Sequence, residues 1–163
     1  MPDPFGRPPA PHHARLPERP MLANRSIPNA TIIPVLPYQD VHEAAAWLCD
    51  AFGFRERLRI AGHRIQLTFS DGAVVAVQRE GGNVDGTGGS VMVRVEDVDA
   101  HCARAERCGA RVVRRPTDYP YGERQYTAVD LGGHSWTFSQ SIADVHPESW
   151  GGTLVEPGAA GAS

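Results

Sequence analysis

An internal repeat is the feature that most constrains how this chain can fold. One pattern, a strand followed by a helix and three more strands, occurs over residues 29–80 and again over residues 90–141. We call these segments module one and module two. Two copies of one supersecondary unit are typical of halves that pack together and bury faces that neither could bury alone. The repeat therefore predicts an α+β fold built from two tandem βαβββ modules.

Module one contains the first predicted helix and four predicted strands. Asp40 precedes a run in which apolar residues recur at intervals of three and four, which is typical of a helix with one buried face, and Gly53 ends that run. Short apolar or alternating segments bounded by turn residues are typical of strands. The strands of module one are predicted at residues 31–38, 55–60, 64–69 and 73–79.

Module two repeats this order at similar spacing. Asp97 begins its predicted helix and Gly109 ends it. A glycine-rich linker over residues 81–89 separates the modules, and a length of 163 residues is enough for one shared core. The strands of module two are predicted at residues 90–95, 111–115, 123–129 and 135–140.

The two ends of the chain lack any apolar period. Residues 1–28 are predicted to form a disordered arm, because the first twenty residues hold half of all the prolines, and Met21 is an alternative start of the protein. Residues 142–163 are rich in glycine and are predicted to form a loosely packed tail, with Trp150 as a candidate anchor. The predicted folded domain therefore covers residues 29–141.

Composition excludes several classes of function. No stretch reaches the roughly 18 apolar residues of a membrane span, and the proline-rich start has no signal-peptide core, so we expect a cytoplasmic protein. The formal net charge of −3, with charges of both signs interspersed, gives no basic surface for nucleic acid. The chain has no lysine, which excludes Schiff-base chemistry. Its three cysteines are expected to be buried, unreactive thiols, and no cofactor is predicted.

Strand alternation divides the side chains of several strands between two faces, because successive residues of a strand point in opposite directions. The residues predicted to face the core are Ile65, Leu67, Phe69, Val91, Val93, Val95, Trp136 and Phe138. The residues predicted to face the opposite way are Arg64, Gln66, Thr68, Ser90, Met92, Arg94, Ser135, Thr137 and Ser139. Guanidinium, amide and hydroxyl groups on one face are typical of a surface that binds a polar or anionic organic molecule through hydrogen bonds.

Two arginines on this face dominate the predicted choice of ligand. A charge-assisted hydrogen bond from Arg64 or Arg94 to a ligand carboxylate contributes about 1.5–3 kcal/mol. The alternative is that one or both arginines form structural ion pairs in a dimer interface. The residues alone are compatible with both arrangements.

Repeated motifs give the chain a resemblance to a known family. The sequences YQDV (38–41) and VEDV (95–98) begin the two helices, and YGER (121–124), Asp130 and GHSW (133–136) close module two. With these motifs the chain resembles the superfamily of glyoxalases, bleomycin-resistance proteins and extradiol dioxygenases, also called the vicinal oxygen chelate (VOC) superfamily. The resemblance implies that eight strands curl into a cup, with helices on the convex side, a small-molecule ligand inside and a homodimer as the assembly.

The resemblance also implies where a metal-dependent member would carry its ligands, on the first and fourth strands of each module. These positions hold Ile33, Ala76, Ser90 and Thr137. Hydrocarbon side chains offer no lone pair, and neutral hydroxyls are weak ligands of the divalent metals that such enzymes use. This departure predicts a metal-independent protein that binds or sequesters a polar small molecule, similar to the resistance members of the family.

Two alternatives to a binding protein stay open. One is a lyase, isomerase or dioxygenase that uses the same cup with a displaced metal ion or with Glu123 as general base. Glu123 qualifies as a base only if the cup reduces its solvation. The other alternative is a regulatory or partner-binding module whose terminal segments make the contacts.

The long hairpin connection of module two supplies the remaining candidate ligand-binding residues, Tyr119, Tyr121 and Arg124. Such connections often carry function, and tyrosine combines an apolar ring with a hydroxyl, which suits the rim of a cup. The alternative is that these residues only hold the hairpin together. Asp130 and His134 are expected to hold the last turn rather than to bind a metal.

The histidine near the start of each helix is expected to be exposed. His42 and His101 occupy matching places in the two modules and lie on the polar side of the predicted helices. We therefore predict no role for either residue.

Overall fold

A computed structural model of the protein describes residues 24–81 and 90–154. Most of the predicted arm, the predicted linker from residue 82 to 89 and the tail after residue 154 lie outside the described residues. The elements follow the predicted order and confirm the α+β fold of two βαβββ modules. Module one comprises β1 (Val35–Tyr38), α1 (Val41–Phe52), β2 (Arg55–Ile60), β3 (Arg64–Phe69) and β4 (Gly72–Gln78). Module two comprises β5 (Val91–Arg94), α2 (Val98–Arg107), β6 (Arg111–Tyr119), β7 (Glu123–Val129) and β8 (Ser135–Ser141).

The helices begin at the predicted aspartates because these side chains satisfy free backbone groups. The Asp40 carboxylate accepts hydrogen bonds from two N–H groups of the first turn of α1, and Asp97 accepts one in α2. Gly53 ends α1 in the left-handed conformation, with φ of 82°, and Gly109 follows the end of α2 with φ of 85°. Over residues 24–81 and 90–154, no helix is long and apolar enough to cross a membrane.

Two strands, β1 and β6, differ most from their predicted lengths. β1 begins at Val35 rather than at residue 31, because Pro34 lacks the N–H group that would extend the ladder. β6 continues to Tyr119 rather than ending at residue 115. It passes Pro116 within a shift of register against β7, and an edge strand tolerates proline at such a place.

Each module forms its own four-stranded mixed sheet, in the orders β1-β4-β3-β2 and β5-β8-β7-β6. The first and last strands of each module pair in parallel, and the remaining pairs are antiparallel. α1 packs on the first sheet, α2 packs on the second, and the two helices contact each other. We call the sheet surface against the helices the helix face and the opposite surface the open face. The two helix faces and the helices share one hydrophobic core.

The predicted alternation of core residues is confirmed. Ile65, Leu67, Trp136 and Phe138 are buried in the shared core. Four more predicted core residues are partly buried against it: Phe69, Val91, Val93 and Val95. Because alternate residues point the other way, the polar residues between them lie on the open faces.

Asp130, in the turn between β7 and β8, joins the two modules. Its buried carboxylate accepts hydrogen bonds from the Tyr38 hydroxyl at 2.7 Å and from the Trp136 indole N–H at 2.9 Å. It also accepts the backbone N–H groups of Gly132 and His134, both at 2.9 Å. Burial and the adjacent carboxylate raise the pKa of Tyr38, which therefore stays a hydroxyl donor. Asp130 thus holds the turn and ties β1 to module two.

His101 lies between the modules, and the prediction that it is exposed is wrong. Its Nε2 lies 2.9 Å from the carbonyl oxygen of Phe52, and its Nδ1 lies 2.6 Å from the Tyr126 hydroxyl oxygen. Because a carbonyl can only accept, Nε2–H is the donor, and the Tyr126 hydroxyl donates to Nδ1 of the neutral ring. Burial is the main cause that lowers the pKa of His101. His42, at the matching place in α1, is exposed as predicted.

Candidate functional site

The open face of module two carries a continuous hydrogen-bond network. The Glu123 carboxylate accepts from the hydroxyls of Ser139 and Ser141, both at 2.5 Å. The Gln125 side chain donates to Ser139 Oγ at 3.1 Å and accepts from the Tyr121 hydroxyl at 3.2 Å. These groups share one face because the register of β7 and β8 sets Glu123 beside Ser141 and Gln125 beside Ser139. The paired strands therefore fix the donors and acceptors relative to one another.

Glu123 is an anion at neutral pH. Burial acts to raise the pKa of Glu123, but the hydrogen bonds from Ser139 and Ser141 and the nearby Arg94 outweigh it and hold the pKa below its usual value. Both carboxylate oxygens already accept a hydroxyl proton. The arrangement stabilises a fixed negative charge at this end of the open face.

Strands β5 and β8 add three of the predicted ligand-binding residues to this face. Arg94 Nη2 donates to Ser141 Oγ at 2.8 Å, and the side chain is otherwise exposed. Thr137 Oγ1 lies 3.1 Å from a threonine hydroxyl of β7. Met92 is 60% exposed on the same strand as Arg94, and Ser90 is exposed directly before that strand. Arg94, Met92 and Ser141 are therefore accessible on module two, whereas Gln125 and Ser139 of the network are buried.

Aromatic rings form one end of the same face. Tyr119 stacks on Tyr121 with ring centroids 5.3 Å apart, and Trp150 packs against Tyr121 at 5.4 Å. Arg114 donates to the Tyr119 hydroxyl at 3.0 Å. Trp150 ends a single 3₁₀ turn, Pro147–Trp150, so this indole anchors the first part of the tail beside the predicted ligand-binding tyrosines.

A cavity of about 540 Å³ lies where the tail leaves β8. It is lined by Tyr121, Glu123, Ser141 and residues 142–145. Gly122 makes this approach possible, because it has φ of 82° and a Cβ there would lie 2.3 Å from a carbonyl oxygen of the tail. Its own carbonyl accepts two N–H groups of the tail. The tail therefore closes one side of the network.

On module one, the chain itself lies against part of the open face. The Gln66 side-chain amide donates to the Ser26 carbonyl at 2.7 Å, and Arg57 Nη2 donates to the Arg25 carbonyl at 2.8 Å. Arg57 also donates to Gln66 Oε1 at 2.6 Å. Gln66 is only 2% exposed, and Pro28 is buried. The last residues of the predicted arm therefore lie against the face on which Gln66 is predicted to meet a ligand.

The other predicted residues of module one also lie on its open face. Arg64 and Thr68 alternate with the core residues of β3, and Thr68 Oγ1 has only a long contact, 3.4 Å, with the Arg55 carbonyl. Strand alternation does not identify Arg57, because β2 shifts register between Glu56 and Leu58. Gln125 and Ser141 were also missed, although extending the alternation along β7 and β8 identifies both.

Arg124, a predicted ligand-binding residue, does not reach the open face. Its guanidinium donates through Nε and Nη2 to the two carboxylate oxygens of Asp99 at 3.0 Å, and through Nη1 to Asp118 at 2.8 Å. The residue belongs to β7, where Glu123 and Gln125 point to the open face and the residue between them points away. Arg124 thus ties β6 and β7 to the start of α2.

The four positions that the resemblance implies for metal ligands do not form a donor set. Ala76 is buried in the core, Ile33 precedes β1, and Ser90 precedes β5. Thr137 lies on the open face, but the open-face positions of β4 are valines such as Val75, which carry no lone pair. Within residues 24–81 and 90–154, no group of three His, Cys, Asp or Glu side chains is placed to hold a metal ion. The four positions that the resemblance implies therefore do not fit a divalent metal.

A larger cavity of about 1100 Å³ runs along the free edge of β5, between the modules. Its lining includes Phe52, Phe54, Phe69, Val93, Arg94 and His101. The sequence pattern does not reveal this cavity, because its walls come from both modules. Arg94 connects it to the network on the open face of module two.

Comparison with known proteins identifies relatives of the chain. The family model of the Glyoxalase/Bleomycin resistance protein/Dioxygenase superfamily matches residues 31–138. The crystal structure of TioX from Micromonospora sp. ML1 is similar at 36% identity, with a TM-score of 0.59, over 68% of this chain and 98% of that chain. The structure of TnmS3, an antibiotic binding protein from Streptomyces sp. CB03234, is similar at 25% identity, with a TM-score of 0.56, over 67% of this chain and 93% of that chain.

A shorter match links the chain to an uncharacterized protein of Mycobacterium bovis. The two are 34% identical over 64 residues, which is 39% of this chain and 42% of that protein. The matched segment therefore spans less than half of that relative. Two proteins of Mycobacterium tuberculosis match at the same identity over 38% of their length.

Proposed function

Because the chain belongs to the Glyoxalase/Bleomycin resistance protein/Dioxygenase superfamily, we propose that it binds a polar organic small molecule on the open face of module two. The observation that carries the proposal is the network from Arg94 through Ser141, Glu123 and Ser139 to Gln125. A few polar groups at fixed positions orient a ligand, while apolar surface supplies contact area. The exposed Met92 and the stacked tyrosines beside the network offer that surface.

Similarity to an antibiotic binding protein supports a role in binding. TnmS3 shares the fold of this chain over 93% of its own length. The predicted sequestering role needs only a surface that encloses its ligand, without a step that breaks a bond. An antibiotic with hydrogen-bonding groups along an apolar body suits the mixture of groups on module two.

The proposed binding does not use a metal ion. The superfamily positions for metal ligands hold hydrocarbon and hydroxyl side chains, and one of them, Ala76, is buried in the core. In the network, the carboxylate of Glu123 is occupied by two serine hydroxyls. Metal analysis of the purified protein tests this part of the proposal, and stoichiometric zinc, nickel or iron would contradict it.

The environment of Glu123 favours binding over proton abstraction. A general base works best when its pKa lies near the pH of the reaction. The hydrogen bonds from Ser139 and Ser141 and the charge of Arg94 outweigh burial and lower the pKa of Glu123. The side chain is therefore suited to position the hydroxyls of Ser139 and Ser141, rather than to remove a proton from a ligand.

We also infer a homodimer, because sheet edges are free. Among the described residues, the edge strands β1, β2, β5 and β6 each pair with one strand only. A second copy that pairs with one or more of these edges would satisfy their N–H and C=O groups and extend the binding surface. Light scattering is expected to give twice the chain mass of 17.6 kDa at micromolar concentration. The mass of a single chain would contradict the dimer.

The binding proposal is tested at Arg94. A panel of antibiotics and aromatic carboxylates is screened by thermal shift, since a compound that binds only the native state raises its melting temperature. For a compound found in this way, Arg94→Ala is expected to weaken affinity about tenfold or more, because a charge-assisted hydrogen bond is lost. The free energy of unfolding changes by less than about 0.5 kcal/mol, since the side chain is exposed.

Arg107→Ala is the matched control, because Arg107 is another exposed arginine and lies on α2. It is expected to leave both affinity and stability unchanged. If the Arg94 and Arg107 variants bind the compound with equal affinity, Arg94 does not belong to the binding site. Loss of folding or of the dimer in Arg94→Ala would instead assign Arg94 to the architecture.

A further inference from the structure

The segment of residues 24–28, which we call the strap, is held on the open face of module one. Two side chains of the sheet hold it by donating to its backbone carbonyls, Gln66 to Ser26 and Arg57 to Arg25. Within the strap, Asn24 accepts the N–H groups of residues 26 and 27 and closes a turn. The strap therefore presents carbonyl oxygens to the sheet in a defined shape.

The glutamine at the centre of the face explains why the strap binds there. Gln66 and Gln125 are each the third residue of an interior strand, and both lie on open faces. Gln125 meets Ser139 across the strand pair, whereas Gln66 meets Val75. A buried amide without a partner is costly, and a valine cannot supply one. The Ser26 carbonyl accepts a hydrogen bond from Gln66, as the Ser139 hydroxyl does from Gln125 in module two.

On the open face of module one, the sheet combines apolar and cationic side chains. Val75 and Ala73 are buried, although they lie outside the central core cluster. Arg57 and Arg64 lie on the same face, and Arg57 is already directed at an oxygen atom. An apolar floor beside guanidinium and amide donors fits a flat organic anion.

We propose that the strap is a displaceable occupant of a second binding surface, and that this surface takes an aromatic carboxylate or sulfonate whose oxygens replace the strap carbonyls on Gln66 and Arg57. A hydrogen bond from a guanidinium to an anionic oxygen is stronger than one to a neutral carbonyl. The hydrogen bond from Arg57 to the anion is therefore stronger than its hydrogen bond to the Arg25 carbonyl. The inference extends the proposed function from module two to module one.

The strap lowers the apparent affinity of this surface. A site that is open in only a fraction of molecules binds with its intrinsic dissociation constant divided by that fraction. A strap that is closed in nine molecules of ten therefore weakens binding about tenfold. A substitution that releases the strap is expected to tighten binding by the same factor.

The test uses the full chain and the fluorescent aromatic sulfonate 8-anilinonaphthalene-1-sulfonate. Pro28→Asn places a neutral polar group at a buried position of the strap and is expected to tighten binding of this probe about tenfold. Ile27→Asn is the matched control, because Ile27 is 50% exposed in the same strap. It is expected to bind the probe like the unaltered chain. Equal affinities of the three proteins would overturn the proposal.

Hydrogen exchange provides a second measurement that needs no substitution. In the unaltered chain, saturating probe is expected to increase deuterium uptake in peptides that contain residues 24–28. Probe binding without increased uptake there would overturn the proposal. Gln66→Leu is expected to increase the uptake without probe, whereas Gln125→Leu, the same change in module two, leaves it unchanged.

Arg94→Ala separates this inference from the proposed function. Arg94 lies on module two, so its loss is expected to leave the tenfold gain from Pro28→Asn in place. Loss of that gain would place the probe on module two and overturn the strap proposal. If Pro28→Asn still tightens probe binding while Arg94→Ala does not change the affinity for the screened compound, the strap proposal stands. The proposed site on module two would then be contradicted.

Discussion

The two modules place a glutamine at the same point of the same strand, but they satisfy it in different ways. In module two, Gln125 donates to Ser139 on the neighbouring strand and accepts from Tyr121 in the hairpin. In module one, Gln66 donates to Ser26 on a segment that precedes the first strand. The repeat therefore specifies where a side chain lies, and the residue across the strand pair decides what it does.

The same difference applies to the charge on the two open faces. Arg64 begins β3 where Glu123 begins β7, so the repeat reverses the charge at the start of the interior strand. Arg64 lies across from Val77, whereas Glu123 lies across from Ser141 and accepts its hydroxyl. The open face of module two thus carries a self-contained polar network. The open face of module one is an apolar floor with cationic groups, on which Gln66 and Arg57 hold the strap.

Substituting the turn aspartates is the strongest test of this comparison. It is expected to give the largest change in the free energy of unfolding. Asp130→Ala leaves the buried Tyr38 hydroxyl and Trp136 indole without an acceptor, at about 1–3 kcal/mol for each. We therefore expect the free energy of unfolding in urea to fall by about 4 kcal/mol. Asp71→Ala, in the corresponding turn of module one, is expected to change it by less than about 0.5 kcal/mol, because Asp71 is exposed.

Similar costs for Asp71→Ala and Asp130→Ala would break the comparison. They would mean that both aspartates act only on their own turns, and that the link from Tyr38 to Asp130 contributes little. Tyr38→Phe checks the link from the other module, because it removes the hydroxyl donor and retains the ring. It is expected to cost about 1 kcal/mol, the usual net contribution of one hydrogen bond.

Local signals in the sequence predicted most of the fold. Asp40 and Asp97 begin helices because a short carboxylate side chain can accept N–H groups of its own first turn, and this depends on a few neighbouring residues. Alternation along β3 and β8 is equally local, and it placed Ile65 and Trp136 in the core. Such features need no knowledge of which strands pair.

The errors arise where a side chain depends on a distant segment or on an exact register. Arg124 lies within the predicted strand 123–129, but its role is predicted from the hairpin connection rather than from the alternation of that strand, and the alternation directs its guanidinium to Asp99 on α2. The resemblance implies a ligand position at Ala76, but Ala76 lies on the helix face, since it pairs with the core residue Ile65. Gln66 was correctly placed on the open face, but its partner Ser26 is 40 residues away.

The helix histidines give the smaller of the two expected effects on stability. His101 holds the modules together as a neutral ring, and burial lowers its pKa in the folded protein. The unfolded chain therefore binds a proton more readily than the folded chain. The contribution of His101 to the free energy of unfolding is fully present above its pKa in the unfolded chain. It is lost as the pH falls through its pKa in the folded chain. His101→Gln is expected to remove this pH dependence and to cost about 1 kcal/mol at pH 7.5.

The measurement that tests the role of His101 is the free energy of unfolding in urea at pH values from 7.5 down to 5, compared with His42→Gln. His42 sits at the matching place in α1 and is exposed, so its variant should follow the unaltered chain at every pH. If all three proteins lose stability in parallel, other groups cause the acid sensitivity. If the loss of stability at falling pH disappears only in His101→Gln, the acid sensitivity arises at the contact between the modules. His101 makes that contact, because it bonds Phe52 of module one and Tyr126 of module two.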